Sequence, residues 1–309
     1  MTLHRLSSFT YSVPNVAEVV SYYTEFGLSD NGDGSLATVD GGTQLYVEEG
    51  PYRRISGIAL GADDPDDLGR IASSLRALGI EVGLDSTPGA ERLVATEPIM
   101  RLRVEVAVQE RVVQQRAERA AFNGPGRVER TNARAEGIMR DRQVRPRRLG
   151  HVALVSGESE SSLRFFTEGL GFKVSDYAGD KTSAFMRCSE DHHNVAVFGG
   201  PVNFPHHSSW QVEDVDEIGR GAEDLLTANA DRKGWGFGRH YAGSNFFWYL
   251  KDPAGTFSEY YADMDQITDD DLWTPEVCEG KSGFYKWGPV PENFMPPGDI
   301  ADLIAAQND

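Results

Sequence analysis

The chain has 309 residues, 39% of them hydrophobic and 25% charged, which is the composition of a globular protein with ample core. A net charge of −18 argues against nucleic acid and anionic membranes as partners. No apolar run reaches the roughly 18 residues a membrane helix needs, no signal-peptide pattern opens the sequence, and two cysteines, Cys188 and Cys278, make no disulfide framework, so a reduced, cytoplasmic setting is expected.

In chain order, the first predicted helix covers residues 16–26, where aromatic and apolar residues recur at helical spacing. A second covers residues 66–78, with acids in its first turn. Each follows a strand-like segment and precedes three more. A basic stretch then runs from Arg111 to Arg148, with eleven arginines and four acids. It reads as a linker whose arginines pair with acidic surface in the same chain or a neighbouring subunit. Asn123-Gly-Pro-Gly marks a turn within it.

The pattern then repeats. Helices are predicted over 159–169 and 216–228. Asp64-Pro-Asp-Asp-Leu-Gly-Arg-Ile-Ala-Ser-Ser-Leu aligns with Asp214-Val-Asp-Glu-Ile-Gly-Arg-Gly-Ala-Glu-Asp-Leu at an offset of 150, with six of twelve positions identical. Such self-similarity signals duplication. Four modules of one strand, one helix and three strands result, near 1–52, 53–110, 148–200 and 205–265.

Three residues of the second half carry the chemistry: His151, His207 and Glu259. Two imidazoles and a carboxylate occupy one face of a non-heme ferrous ion and leave the other positions free. Each lies on or at the start of a strand-like segment. The repeat supplies a control: at the offset of 150 His207 falls on Gly57, and the local match of Arg5-Leu-Ser-Ser with Arg148-Leu-Gly-His sets Ser8 against His151. Neither counterpart binds a metal, and Glu105 alone, in the place of Glu259, makes no site. The first half therefore reads as scaffold and the second as catalytic.

Asp252-Pro-Ala-Gly suits a type I turn. Its flanks, residues 245–250 and 256–261, form a hairpin that sets Tyr249 nearly opposite Glu259. His206 and His207 are adjacent on a strand, so alternation sends them to opposite faces and only one enters the site.

The run from Gly238 to Glu259 holds a His, an aromatic strand with a Tyr, Asp-Pro-x-Gly and a Glu, in that order. It resembles the signature of the type I extradiol ring-cleavage dioxygenases, of the vicinal oxygen chelate (glyoxalase/bleomycin resistance) superfamily. The resemblance is strongest over the third and fourth modules. It implies an α+β fold of four βαβββ modules paired into two barrel-like domains: 1–110 non-catalytic, 111–147 an Arg-rich linker, 148–265 catalytic, and 266–309 a tail that covers the site or packs outside the barrel. It implies Fe(II), with Mn(II) as the alternative, held by His151, His207 and Glu259. It assigns acid-base work to His193 and substrate hydrogen bonds to His240 and Tyr249, and leaves His192 and His206 as neighbours that pack or meet solvent. The expected reaction is extradiol cleavage of a catechol with O2, in the degradation of aromatic compounds, by a homo-oligomer.

Around this site Trp235, Phe237, Phe246, Phe247 and Trp248 read mainly as core, and a hydrophobic or substituted catechol is expected. The resemblance also offers an acidic catechol, taken by family members with an extra arginine in the loop before the His; here Arg239 adjoins His240, and Arg232 or Lys233 could reach inward. Other readings within the superfamily are a 4-hydroxyphenylpyruvate-type keto-acid dioxygenase, a glyoxalase-like lyase and a non-catalytic binding protein. The combination of metal set and acid-base set favours the first reading over these.

Overall fold

A computed structural model describes residues 3–85, 87, 90–117, 120–179, 181–283, 285–291 and 299–308. Four modules follow one another. The first is β1 (Leu3–Val13), α1 (Val16–Glu25), β2 (Ser29–Asp30), β3 (Ser35–Thr38) and β4 (Gly42–Glu49). The second is β5 (Arg54–Ala62), α2 (Pro65–Ala77), β6 (Val82–Asp85), β7 (Arg92–Glu97) and β8 (Leu102–Val108). After a short helix α3 (Glu136–Met139) the third runs β9 (Arg148–Ser156), α4 (Ser159–Arg164) with a π-helical turn (Phe165–Gly169), β10 (Lys173–Ala178), β11 (Ser183–Arg187) and β12 (Val195–Gly199). The fourth is β13 (Phe204–Gln211), α5 (Val215–Ala228), β14 (Gly238–Arg239), β15 (Phe246–Lys251) and β16 (Phe257–Ala262). The tail adds β17 (Val277–Cys278) and α6 (Ile300–Asn308).

The four long helices fall within a residue or two of their predicted ranges. The duplication extends to their caps. Asp64 accepts the amide of Asp67 at 3.0 Å and Asp214 accepts that of Glu217 at 3.1 Å, so one orphan donor is satisfied at the start of both α2 and α5.

The modules pair into two mixed sheets, ordered β2-β3-β4-β1-β5-β8-β7-β6 and β14-β15-β16-β13-β9-β12-β11-β10-β17. The expected barrels do not close. Among the described residues β2 and β6 remain the edges of the first sheet, and β14 and β17 those of the second. The second sheet nevertheless encloses a cavity, because residues near both of its ends line the same space.

The halves pack through the back of the second sheet. Tyr22 and Tyr23 of α1 reach the hydroxyls of Ser258 and Ser208, and Phe26 stacks on Tyr260 with centroids 3.9 Å apart. These residues are almost fully buried. Ser208 and Ser258 directly follow His207 or precede Glu259, so on a pleated strand they point away from the face that carries those two residues. The basic stretch pairs within the chain: Arg140 with Asp214 at 2.9 Å, Arg147 with Asp40 at 2.7 Å and Glu213 at 3.0 Å, and Arg148 with Asp191 at 2.8 Å. No helix of the described residues is long and apolar enough to cross a membrane.

Candidate metal centre

His151, His207 and Glu259 come from three adjacent strands, β9, β13 and β16. Ser209 of the central strand pairs with His151 on one side and Glu259 on the other, so the three share one face. His207, two residues before Ser209, lies on that face too. All three ligand candidates are buried. Gly150, just before His151, has no room for a side chain: a Cβ there would sit 2.2 Å from the Tyr261 hydroxyl.

The donor atoms converge. His151 Nε2 lies 3.1 Å from His207 Nε2 and 3.2 Å from Glu259 Oε2, and the third pair is 3.8 Å apart. Ligands about 2.1 Å from one ion and at right angles lie about 3 Å apart, so the set fits a divalent ion with three protein donors. Glu259 Oε2 is buried without a hydrogen-bond partner among the described residues, as suits an atom aimed at a cation. Burial by itself would raise the Glu259 carboxyl, but His151 and His240 hold it well below the usual range. Burial, followed by the neighbouring His206 and His151, pushes His207 well below the usual imidazole range, so it presents a lone pair.

The next shell is polar on one side. Glu259 Oε1 accepts from Asn245 Nδ2 at 3.2 Å and lies 3.5 Å from His240 Nε2. His240 Nε2 is 2.9 Å from the Tyr249 hydroxyl. Tyr249 pairs with Glu259 across the hairpin, in the predicted register. The turn closes as expected, with the Gly255 amide donating to Asp252 at 3.1 Å and Gly255 at φ +87°. Burial, then the Glu259 charge, pushes the Tyr249 phenol well above its ordinary value, so it keeps its proton. The His193 ring lies 4.1 Å from that of His151, and burial, then the neighbouring histidines, pushes it well below its ordinary value.

These groups open onto a cavity of about 330 Å³. His193, His206, His240 and Tyr249 line it together with the apolar Phe185, Phe198 and Trp235. Among the described residues, no arginine or lysine lines it. Arg232 turns instead to Glu25 at 2.7 Å, and Arg239 to Asp263 at 2.7 Å while covering the Phe246 ring. Trp235 lines the cavity, whereas Phe237 and Phe246 stack on each other and pack on Trp287 of the tail. The tail also reaches the cavity, through Cys278, Gly280 and Gly283.

One expectation needs correction. Alternation was to send His206 away from the site, yet both His206 and His207 line the cavity, with their Nδ1 atoms 2.6 Å apart. The register shifts between Pro205 and His207, and such a bulge breaks strict alternation. His192, expected to pack or to meet solvent, packs: it is fully buried between Asp176 and His193. Asn245 was not anticipated at all. Its only sequence signal is a polar residue at the start of an aromatic strand whose partner bears the Glu.

Residues 148–260 match the model of the Glyoxalase/Bleomycin resistance protein/Dioxygenase superfamily. Metapyrocatechase 2 of Cupriavidus necator is 31% identical over 95% of this chain and 92% of its own. Biphenyl-2,3-diol 1,2-dioxygenase of Paraburkholderia xenovorans (strain LB400) is 25% identical over 84% of this chain and 88% of its own. The Mn(II)-bound glyoxalase of Novosphingobium aromaticivorans superposes with a TM-score of 0.72 and 26% identity, covering 96% of this chain and 94% of that one. With its duplicated modules, its convergent donors and full-length similarity above 30%, the chain belongs to the extradiol dioxygenases of the glyoxalase/bleomycin resistance/dioxygenase superfamily.

Proposed function

We propose that this chain is an Fe(II) enzyme that opens an uncharged, apolar-substituted catechol beside its diol, both atoms of O2 entering the ring-opened product. The observation that carries the reading is the convergence of two imidazole nitrogens and a carboxylate oxygen, with spacings of 3.1–3.8 Å, at the wall of an apolar cavity that also holds His193, His240 and Tyr249. Bound there, the ion would supply positive charge and a common centre for the diol oxygens and O2.

The protein's own groups divide the remaining work. His151, His207 and Glu259 hold the ion. Tyr249, which keeps its proton, donates a hydrogen bond to a substrate oxygen, and His240 beside it fixes the phenol. Neutral His193 accepts and returns protons at the reacting carbon's oxygen. Phe185, Phe198 and Trp235 exclude water and receive the ring substituents. Residues 1–110 serve as scaffold, 111–147 as linker, 148–265 as the catalytic unit, and 266–309 as a partial cover.

Anaerobic purification with Fe(II), then aerobic mixing with catechols, tests this. One O2 consumed per catechol with a yellow ring-opened product is expected. Apolar 3- and 4-substituted catechols should be turned over with higher kcat/KM than carboxylated ones. Manganese in place of iron should give lower activity. The likeness to a Mn(II)-bound glyoxalase favours a second reading, isomerisation of a hemithioacetal. Turnover of a hemithioacetal without O2 uptake would replace the dioxygenase reading.

A further inference from the structure

We infer that Asp176 and His192 form a buried relay that fixes the tautomer of His193 and so aims its lone pair into the cavity. The inference rests on the dioxygenase reading for its effect on turnover, but not for its geometry. Asp176 is on β10, and His192 and His193 lie between β11 and β12. Asp176 and His193 are nearly buried and His192 fully so.

Hydrogen bonds fix the order of the protons. Asp176 Oδ1 accepts the backbone amide of Glu276 at 2.8 Å, and Oδ2 lies 3.0 Å from His192 Nε2. A carboxylate only accepts, so His192 carries its proton on Nε2. The relay requires that this be the ring's single proton, which leaves a lone pair on the second nitrogen. That atom, Nδ1, lies 3.0 Å from His193 Nδ1. Two lone pairs repel, so His193 must donate from Nδ1. Its Nε2, on the far side of the ring, is left as an acceptor. A base needs that atom unprotonated.

The tail holds the relay in place. Trp273 packs edge-on against His192, with centroids 5.4 Å apart, and its indole N–H bonds Ser175 O at 2.7 Å. The His192 amide donates to Asp265 O at 2.9 Å. Asp176 and His192 are thus positioning residues that act through His193, anchored by segments beyond the catalytic hairpin.

Asparagine at 176 makes the test sharp. The Glu276 amide only donates, so it keeps the amide oxygen. The NH2 group then faces His192 Nε2, which must become an acceptor. His192 turns to its other tautomer, His193 becomes the acceptor at Nδ1, and its proton moves to Nε2. The full chain, labelled with ¹⁵N-histidine and loaded with Zn(II), reports this by long-range ¹H–¹⁵N correlation. The wild-type protein should show His192 protonated on Nε2 alone and His193 on Nδ1 alone. Asp176→Asn should reverse both. In the iron-loaded enzyme Asp176→Asn should lower kcat about 10²-fold or more with KM and bound iron unchanged.

A wild-type His193 protonated on Nε2, or a His192 protonated on both nitrogens, overturns the relay. So does an unchanged tautomer or unchanged kcat in Asp176→Asn. If that variant fails to fold, the wild-type spectrum still decides. The spectrum needs no substrate, so the relay stands or falls separately from the catechol reading.

Discussion

Ser8 occupies the place in the first sheet that His151 occupies in the second. Ala59 pairs with Ser8 and Glu105, just as Ser209 pairs with His151 and Glu259. The register is therefore conserved between the halves while the donors are not. In the first half Glu105 bonds Arg103 at 2.8 Å instead of facing two imidazoles. Where the second half sets His151, His207 and Glu259, the first half sets Ser8, Gly57 and Glu105.

His151→Ala removes one of three donors. Bound iron should fall to a small fraction of the wild-type stoichiometry, and turnover with it. Metal analysis after gel filtration checks this. Iron retained with activity would show that His151 is not a ligand.

Asn245→Ala leaves the ligands in place but frees Glu259 Oε1 from its 3.2 Å hydrogen bond. Loss of a group that orients a ligand weakens metal affinity by about 10–100-fold. Competition with a chelator of known affinity measures it. Unaltered affinity would remove Asn245 from the metal site.

His193→Ala should keep iron and lose about 10²–10⁴ in kcat, the contribution typical of a positioned proton-transfer group. Single-turnover assays on the iron-loaded variant decide. Undiminished turnover would take His193 out of the reaction.

Asp252 links the hairpin that carries Tyr249 and Glu259 to pH. Its Oδ1 accepts the amides of Ala254 and Thr256, both at 2.9 Å, while burial pushes its carboxyl up to about 6. The ordinary unfolded value is about 3.9. A raised carboxyl favours the folded state fully below the unfolded value, and the benefit is lost as pH rises through about 6. Asp252→Asn keeps an acceptor for both amides and removes the titration. Relative to wild type, its stability should rise between pH 4 and 6 by about 2–3 kcal/mol and level off above. Urea midpoints across that range test it, and a difference independent of pH would refute the buried titration.

Phe26→Ala deletes the ring stacked on Tyr260, at the contact that braces β13 and β16 from behind. A buried Phe→Ala change costs about 3–5 kcal/mol. The urea midpoint should fall accordingly. Iron affinity should also weaken, because the strands that carry His207 and Glu259 lose their support. A destabilised protein with full iron affinity would show that the scaffold stabilises the fold without shaping the site.

Much of this protein was legible in its sequence. The helices over residues 16–26 and 216–228 follow from apolar spacing, and the repeat of acids in a first turn from the offset of 150. The Asp252 turn set the register of Tyr249 and Glu259, because a tight turn leaves a hairpin one pairing. These are short-range constraints, written in neighbouring residues. The convergence of His151, His207 and Glu259 followed from the repeat together with the resemblance.

The tertiary structure decided the rest. His206 reaches the cavity at a register shift in the pairing of β13 with β9, beside Pro205, which has no N–H to give the ladder. Asn245, just before β15, finds Glu259 on β16, and Asp176 on β10 finds His192 in the segment between β11 and β12. Arg232 and Arg239 pair with Glu25 and Asp263, and the fold decides where those carboxylates lie. Local sequence sets periodicity and turns, but which polar groups meet inside the protein depends on how distant strands are aligned.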